Sequence, residues 1–296
     1  MNDGESDPTE VFDLVGNSTR MNVLRALASA HSDAPTDPWL EYGELQEAAG
    51  VSDNGNFNYH LDQLDDLVVK REAGYRLSRI GMGVVSTVTS GFFDPKWTWG
   101  PVDAPGDCLY CDDSPQLRYE DGILWLGCGT DDHDVPLSVP PSLLDTHPEE
   151  DVVEQIAFLE NQWSAQTRRG ICSECQGYVD GEIEFGGARA DHYHYHGHCH
   201  RCGFQHGIPV GLFLVGHPAV VNFFYERGID VRATPFWTLE FCKPGSETVL
   251  SESPLRLRVD VTHDGETLSL TLNREGSVVS TERTEGPAEA SAEREP

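Results

Sequence analysis

Two pairs of cysteines near the middle of the chain have the spacing of a metal-binding motif. Cys172 and Cys175 form one C-x2-C pair, and Cys199 and Cys202 form another after 23 intervening residues. In zinc ribbons two such pairs form knuckles that place four thiolates tetrahedrally around the ion. We therefore predict that these four thiols hold a structural Zn²⁺ ion. Four thiolates leave no open coordination position, so the motif argues against catalytic zinc.

An earlier group of cysteines has part of the same pattern. A C-x2-C pair at Cys108 is followed by Cys128, and no fourth cysteine completes the motif. Asp131 stands where the last cysteine would be and His133 lies two residues further on, so either could complete a site. We predict a degenerate zinc-ribbon-like module over residues 107–150, which either binds metal or packs without it. Its candidate ligands are Cys108, Cys111, Cys128 and His133.

A run of histidines occupies every second position from His192 to His200. In a strand these side chains would share one face, whereas Cys199 would point to the other. Residues on the same face lie about 7 Å apart, which is too far for every pair to share one ion. We predict an exposed polar face. The alternative is a metal sensor, in which the histidines bind a second divalent ion or titrate near neutrality.

The charge of the chain is strongly acidic and unevenly distributed. The formal net charge is −30, with only three lysines among the 20 basic residues. At molar salt the Debye length falls to about 3 Å and self-repulsion is screened, so the composition is typical of a halophile's cytoplasmic protein. An acidic partner-binding protein of an ordinary cytosol is the alternative. Residues 103–154 carry fourteen acids and one base, whereas residues 53–79 carry five acids and four bases, which leaves room for a DNA-facing surface.

The chain shows no signal peptide or membrane span by sequence pattern. No basic segment followed by an apolar core opens it, and the longest apolar run, residues 207–225, contains Pro209, Pro218 and Asn222. We expect a soluble cytoplasmic protein. Its thiols would remain reduced there and would bind metal rather than form disulfides.

The elements before residue 93 have the order helix, helix, turn, helix, hairpin, helix. The helix that follows the turn is predicted to have its N-cap near Ser52 or Asp53. Phe57, Leu61 and Leu64 are predicted to form its core-facing stripe. A hairpin follows around Ala73-Gly74. This order predicts a winged helix-turn-helix over residues 9–93, after a disordered start at residues 1–8.

Such a domain would present polar side chains to DNA. Asparagine and glutamine can bond bidentately to adenine in the major groove, and hairpin cations would meet phosphate. Asp62 and Asp66 act against DNA binding, and the same fold can serve as a protein-interaction or dimerisation module. His60 is expected to pack in the core. The candidate DNA-contacting residues are Asn54, Asn56, Asn58, Tyr59, Gln63, Lys70, Arg71 and Arg76.

The remainder completes an α+β chain. Residues 94–106 are rich in proline and glycine and predict a linker. Residues 151–275 predict a helix, the four-cysteine zinc ribbon, a second helix starting at Pro218, and a hairpin about the turn "HDGE". Cys242 is expected to be a buried small hydrophobe. Residues 276–296 predict a disordered acidic tail.

Three motifs, "RMNVLRAL", "FNYHLDQL" and "GYRLSRIGMGVV", together resemble the winged helix-turn-helix of ArsR-like archaeal transcription regulators. The rest, with "CSEC", "CHRCG", "HPAVVNFFYERGID" and "PFWTLEF", looks like the carboxyl half of a haloarchaeal group of such regulators. The resemblance covers about residues 9–275. It implies a homodimeric DNA-binding regulator in which Asn54 to Leu67 is the recognition helix and residues 70–76 are the wing.

The sequence therefore predicts a transcription regulator that binds double-stranded DNA and is not an enzyme. No nucleophile with a base and no open metal motif is present in the sequence. The carboxyl half would be a zinc-braced platform for a protein partner. A zinc-stabilised adaptor that binds protein and not DNA is the competing hypothesis.

Overall fold

The computed structural model describes residues 9–186 and 192–285, and it divides the chain into two compact units, Met1–Phe93 and Asp94–Pro296. Both units combine helices with small antiparallel sheets, so the architecture is mixed α+β. The predicted disordered start at residues 1–8 lies outside the described residues, as do residues 286–296 of the predicted tail.

The first unit consists of helices and one hairpin, and side-chain caps begin three of the helices. Asn17 Oδ1 accepts a hydrogen bond from the Arg20 amide at 3.2 Å, and Asp53 Oδ1 accepts one from the Asn56 amide at 2.6 Å. Ser78 Oγ begins the last helix in the same way. The elements are α1 Glu10–Val15, α2 Ser18–Asp33, α3 Tyr42–Ala48, α4 Asn54–Asp62, β1 Val68–Arg71, β2 Gly74–Leu77 and α5 Arg79–Thr89.

Helix α4 ends earlier than predicted. It stops at Asp62 instead of continuing to Leu67, and Gln63 is its C-cap. The chain then turns, with the Leu67 amide donating to the Leu64 carbonyl at 2.8 Å. Leu64 and Leu67 are both buried, and a straight helix would not bring the chain back to β1 with both side chains in the core.

The core of the first unit contains the predicted apolar stripe. Phe57, Leu61 and Leu64 are buried, and His60 is buried beside them as expected. Leu40 exchanges two backbone hydrogen bonds with Tyr75, of 3.0 and 2.9 Å, and so adds a third short segment to the hairpin.

Three antiparallel sheets and several helices form the second unit. Strands that are adjacent in sequence pair within each sheet, in the orders β3-β4-β5-β6, β7-β8-β9 and β10-β11-β12-β13. The strands are β3 Trp99–Asp103, β4 Gln116–Glu120, β5 Ile123–Gly127, β6 Val135–Leu137, β7 Val179–Phe185, β8 Tyr193–Cys199, β9 Gln205–Pro209, β10 Glu247–Glu252, β11 Leu255–His263, β12 Glu266–Asn273 and β13 Val278–Glu285. The helices are α6 Pro141–Thr146, α7 Val152–Thr167, α8 Val210–Val215 and α9 Pro218–Tyr225, with short 3₁₀ turns at Asp131–His133, Phe236–Thr238 and Glu240–Cys242.

Two segments that were predicted to be irregular form edge strands. The linker prediction for residues 94–106 is wrong at Trp99–Asp103, where β3 pairs with β4 across a register shift. Pro101 is tolerated there because an edge strand does not need every amide. The disordered-tail prediction for residues 276–296 is wrong at Val278–Glu285, where β13 pairs with β12. Valine and threonine favour strands when a neighbouring edge offers hydrogen bonds.

The apolar run at residues 207–225 forms core helices of the second unit. Phe213 and Phe223 are buried, and Trp237 is fully buried with its Nε1 donating to the Pro105 carbonyl at 2.9 Å. Cys242 is buried as expected. Across residues 9–186 and 192–285, every helix is too short or too polar to cross a bilayer.

Candidate functional sites

The four cysteines of the predicted ribbon converge in the second unit. Cys199 ends β8 and pairs with Val179 of β7, which brings the two knuckles together. The four sulfur atoms all lie within 4.8 Å of one another. The Sγ–Sγ distance is 3.8 Å for Cys172 and Cys202, and 3.5 Å for Cys175 and Cys199. Tetrahedral zinc with Zn–S bonds of about 2.3 Å separates its sulfurs by about 3.8 Å, so the arrangement fits a four-thiolate site.

The two knuckles of this cluster share one backbone design. The Cys172 amide donates to the Gly177 carbonyl at 2.9 Å, and the Cys199 amide donates to the Phe204 carbonyl, also at 2.9 Å. A Cβ on Gly177 would lie 3.2 Å from the sulfurs of both Cys175 and Cys199. The glycine therefore lets the chain turn closely around the thiols, and the local sequence builds the ligand geometry.

The first cysteine group is completed by His133. The Cys111 and Cys128 sulfurs are 3.7 Å apart, and His133 Nδ1 lies 3.4 Å from Cys128 Sγ and 3.7 Å from Cys108 Sγ. All four ligand atoms lie within 4.8 Å of one another. The Cys108 amide donates to the carbonyl five residues later, which is the same turn as in the other cluster.

A short turn positions His133 beside the thiols. The 3₁₀ segment Asp131–His133 begins with the His133 amide donating to the Thr130 carbonyl at 2.8 Å, and this turn places the imidazole beside the thiols. The side chain of Asp131 lies outside the described part of the chain. The residues brought together are therefore the predicted set of three thiols and His133.

The thiols of each cluster differ in acidity. The Cys202 amide donates to Cys199 and lowers the pKa of that thiol to about 6. The Phe204 amide lowers the pKa of Cys202, but the neighbouring thiols outweigh it and raise that pKa to about 12. In the other cluster, burial raises the pKa of Cys128, but hydrogen bonds with Thr130 and His133 outweigh burial and bring it to about 6. Binding of a cation would therefore displace protons from the remaining thiols.

The prediction that the whole histidine run is an exposed face is wrong for its first half. His192 is buried and its Nε2 lies 2.8 Å from Nε2 of His194. Burial lowers the pKa of His194 to about 4, and the charges of neighbouring histidines add to the effect. His198 and His200 are exposed beside Asp180 of β7. The alternation within β8 does not extend to His192 and His200, because both lie beyond the ends of the strand.

The predicted base-reading residues all lie on the surface of α4 or at its C-cap. The Asn54 side-chain oxygen accepts a hydrogen bond at 2.8 Å from Nε2 of Gln46, which lies on α3. Helices α3 and α4 are thus linked at the turn between them. The exposed candidates are Asn54, Asn56, Asn58, Tyr59 and Gln63.

The three hairpin cations are not equivalent. Lys70 and Arg71 are exposed, with Lys70 Nζ 5.3 Å from the centre of the Tyr75 ring. Arg76 is only half-exposed, and its guanidinium stacks on Trp39 at 4.9 Å. Arg76 therefore also stabilises the base of the hairpin, a role that the sequence analysis missed.

Both cysteine clusters fall within one family match. The family model described as Domain of unknown function (DUF7351) matches residues 105–278. The chain belongs to this family. A second model, Domain of unknown function (DUF7347), matches residues 8–88 and so includes α4 and the hairpin. No curated protein and no solved structure matches the chain. The polar face of α4 and the DUF7351 cysteine clusters thus lie in different family segments.

Proposed function

We propose that the protein is a DNA-binding transcription regulator whose first unit reads DNA. The observation that carries the proposal is the set of exposed asparagines on α4, next in sequence to a hairpin with exposed Lys70 and Arg71. The order α2, Leu40 segment, α3, α4, hairpin agrees with a winged helix-turn-helix. The resemblance to ArsR-like regulators supports the same assignment.

Recognition by this surface would depend on base contacts more than on phosphate contacts. Asn58 and Gln63 present amides that can pair with adenine, whereas Lys70 and Arg71 offer two exposed cations for phosphate. At molar salt, counterion release contributes little to affinity. A reading helix rich in amides is consistent with binding under those conditions.

We further propose that both clusters hold Zn²⁺ as structural ions. Thiolate and imidazole ligands at tetrahedral spacing suit zinc, and a site with four protein ligands is closed to substrate. The second unit would then be a braced platform for a protein partner, and the regulator would act as a homodimer. The elution mass of the purified chain by light scattering tests the dimer.

The experiment for DNA binding is genomic fragment selection with the full chain in molar KCl. Saturable, sequence-selective retention is expected, and both Asn58→Ala and Arg71→Ala should weaken it. Asn22→Ala and Arg25→Ala, which alter an exposed amide and an exposed guanidinium on α2, are the matched controls and should bind as the unchanged chain does. Retention without sequence preference, or equal losses in the controls, would contradict the proposal.

The same preparation separates a regulator from an adaptor. If the full chain retains no fragment selectively but carries a defined protein partner through purification, the adaptor hypothesis is favoured. The strong acidity of the chain, with a net charge of −30, is the observation behind that alternative. Zinc per chain, measured by native mass spectrometry, tests the metal assignment independently, and two ions are expected.

A further inference from the structure

Two imidazoles and one carboxylate form a group beside the four-cysteine cluster. Asp180 of β7 lies opposite His198 of β8 in the sheet register, and His200 is the first residue after β8. Asp180 Oδ1 lies 2.9 Å from His200 Nε2 and 3.6 Å from His198 Nδ1. The three side chains are 50%, 49% and 52% exposed, so solvent reaches all of them.

The distances within this group are compatible with a bound ion, and without one the 2.9 Å contact is a hydrogen bond. Metal–ligand bonds of about 2.1 Å in tetrahedral geometry separate ligand atoms by about 3.4 Å, and the observed 2.9 and 3.6 Å lie on either side of that value. In a regular strand His198 and His200 would be about 7 Å apart. The strand ends at Cys199 instead, and the two ring centres approach to 4.6 Å.

The surrounding structure holds these side chains in place. The ring of His200 stacks on Tyr178 with centres 5.3 Å apart and planes 18° apart, and the His200 amide donates to the Tyr178 carbonyl at 3.0 Å. Cys199, between the two histidines, is buried in the four-cysteine cluster. The cluster therefore fixes the backbone from which both imidazoles project.

We propose that Asp180, His198 and His200 form a solvent-open site for an exchangeable divalent transition-metal ion of the Zn²⁺, Co²⁺ or Ni²⁺ class. Two imidazoles and one carboxylate select such ions over Mg²⁺ and Ca²⁺, which prefer all-oxygen ligands. Three protein ligands leave positions for water or another ligand, unlike the closed cysteine clusters. The site does not depend on the proposed DNA binding.

The test uses the full chain with its cysteine clusters loaded with zinc, titrated with Co²⁺ in molar KCl. We expect one additional ion per chain by calorimetry, with the visible absorption of cobalt bound to nitrogen and oxygen and without thiolate-to-cobalt charge transfer. Zinc released into solution is measured in parallel to show that the clusters stay filled. Asp180→Asn and His200→Gln should each weaken the additional ion at least about tenfold. His147→Gln, which changes an exposed histidine elsewhere in the second unit, is the matched control and should not change it.

Three results would overturn the proposal. The first is no additional ion, and the second is an ion that binds both Asp180→Asn and His200→Gln as tightly as the unchanged chain. The third is an equal loss of affinity for the additional ion in His147→Gln, which would indicate that the ion binds nonspecifically to exposed histidines. If His200→Gln loses cluster zinc, the result for Asp180→Asn decides, because that change keeps the shape of the side chain and both imidazoles.

Discussion

The partly buried imidazole of His194 makes the stability of the second unit depend on pH. Burial is the main reason that the pKa of His194 is about 4 instead of 6.5. The Nε2 atom lies 2.8 Å from Nε2 of His192, and Nδ1 is buried without a hydrogen-bond partner among residues 9–186 and 192–285. A proton on His194 would therefore place a positive charge in a largely desolvated position beside other imidazoles.

The size and sign of the effect follow from that pKa. Above pH 6.5 the imidazole is neutral in the folded and unfolded chains and adds no pH dependence. As the pH falls below 6.5 the unfolded chain binds a proton first, so stability is lost progressively between pH 6.5 and about 4. The shift from 6.5 to about 4 sets an upper limit of about 3 kcal/mol in total and about 2 kcal/mol by about pH 5, and solvent screening at the partly exposed ring reduces both values.

The perturbation is His194→Gln, and the assay is urea unfolding at neutral pH and at about pH 5 in molar KCl. Glutamine does not titrate, so the unchanged chain should lose up to about 2 kcal/mol more than the variant between the two conditions. Metal release at acid pH affects both chains and cancels in this difference. His147→Gln, in an exposed position, should follow the unchanged chain. An identical pH dependence in the unchanged chain and His194→Gln would refute the reasoning.

Three further outcomes are expected. Cys175→Ser and Cys111→Ser should each lower the zinc content from two ions per chain to one, measured by native mass spectrometry, and unchanged zinc would contradict the clusters. Addition of zinc to the metal-free chain at neutral pH should release protons, because Cys202 has a pKa of about 12. The affinity for zinc should therefore fall as the pH falls. Titration in weak buffer with an indicator dye measures both the released protons and the affinity. Trp237→Phe removes the hydrogen bond to the Pro105 carbonyl and should cost about 1 kcal/mol, whereas Trp237→Ala should cost about 3–5 kcal/mol, and equal thermal shifts would contradict this ranking.

The cysteine clusters could largely be predicted from sequence because their geometry is local. Each C-x2-C pair forms a knuckle in which the amide of the first cysteine donates to the carbonyl five residues later. This hydrogen bond is present at Cys108, Cys172 and Cys199. The sequence left open whether His133 lies beside the thiols, because its position depends on the 3₁₀ turn that follows Thr130.

The surface of the second unit was harder to predict. Alternation predicted one face for the run from His192 to His200. In the structure His192 is buried, His194 and His196 are partly buried, and His198 and His200 are exposed around the end of β8 at Cys199. Asp180 joins the exposed pair only because β7 and β8 pair in the register that sets it opposite His198. The spacing of residues in the sequence does not predict that strand register.

By itself the sequence determined the α+β class, the core stripe and N-cap of α4, and the two groups of thiols. These features depend on residues within a few positions of one another, where side-chain periodicity and short hydrogen bonds act directly. Only the tertiary structure decided the edge strands β3 and β13, the early end of α4 and the partnership of Asp180 with the histidines. These depend on pairing and burial between segments distant in the chain, because a free sheet edge or a core cavity exists only after the other segments have packed.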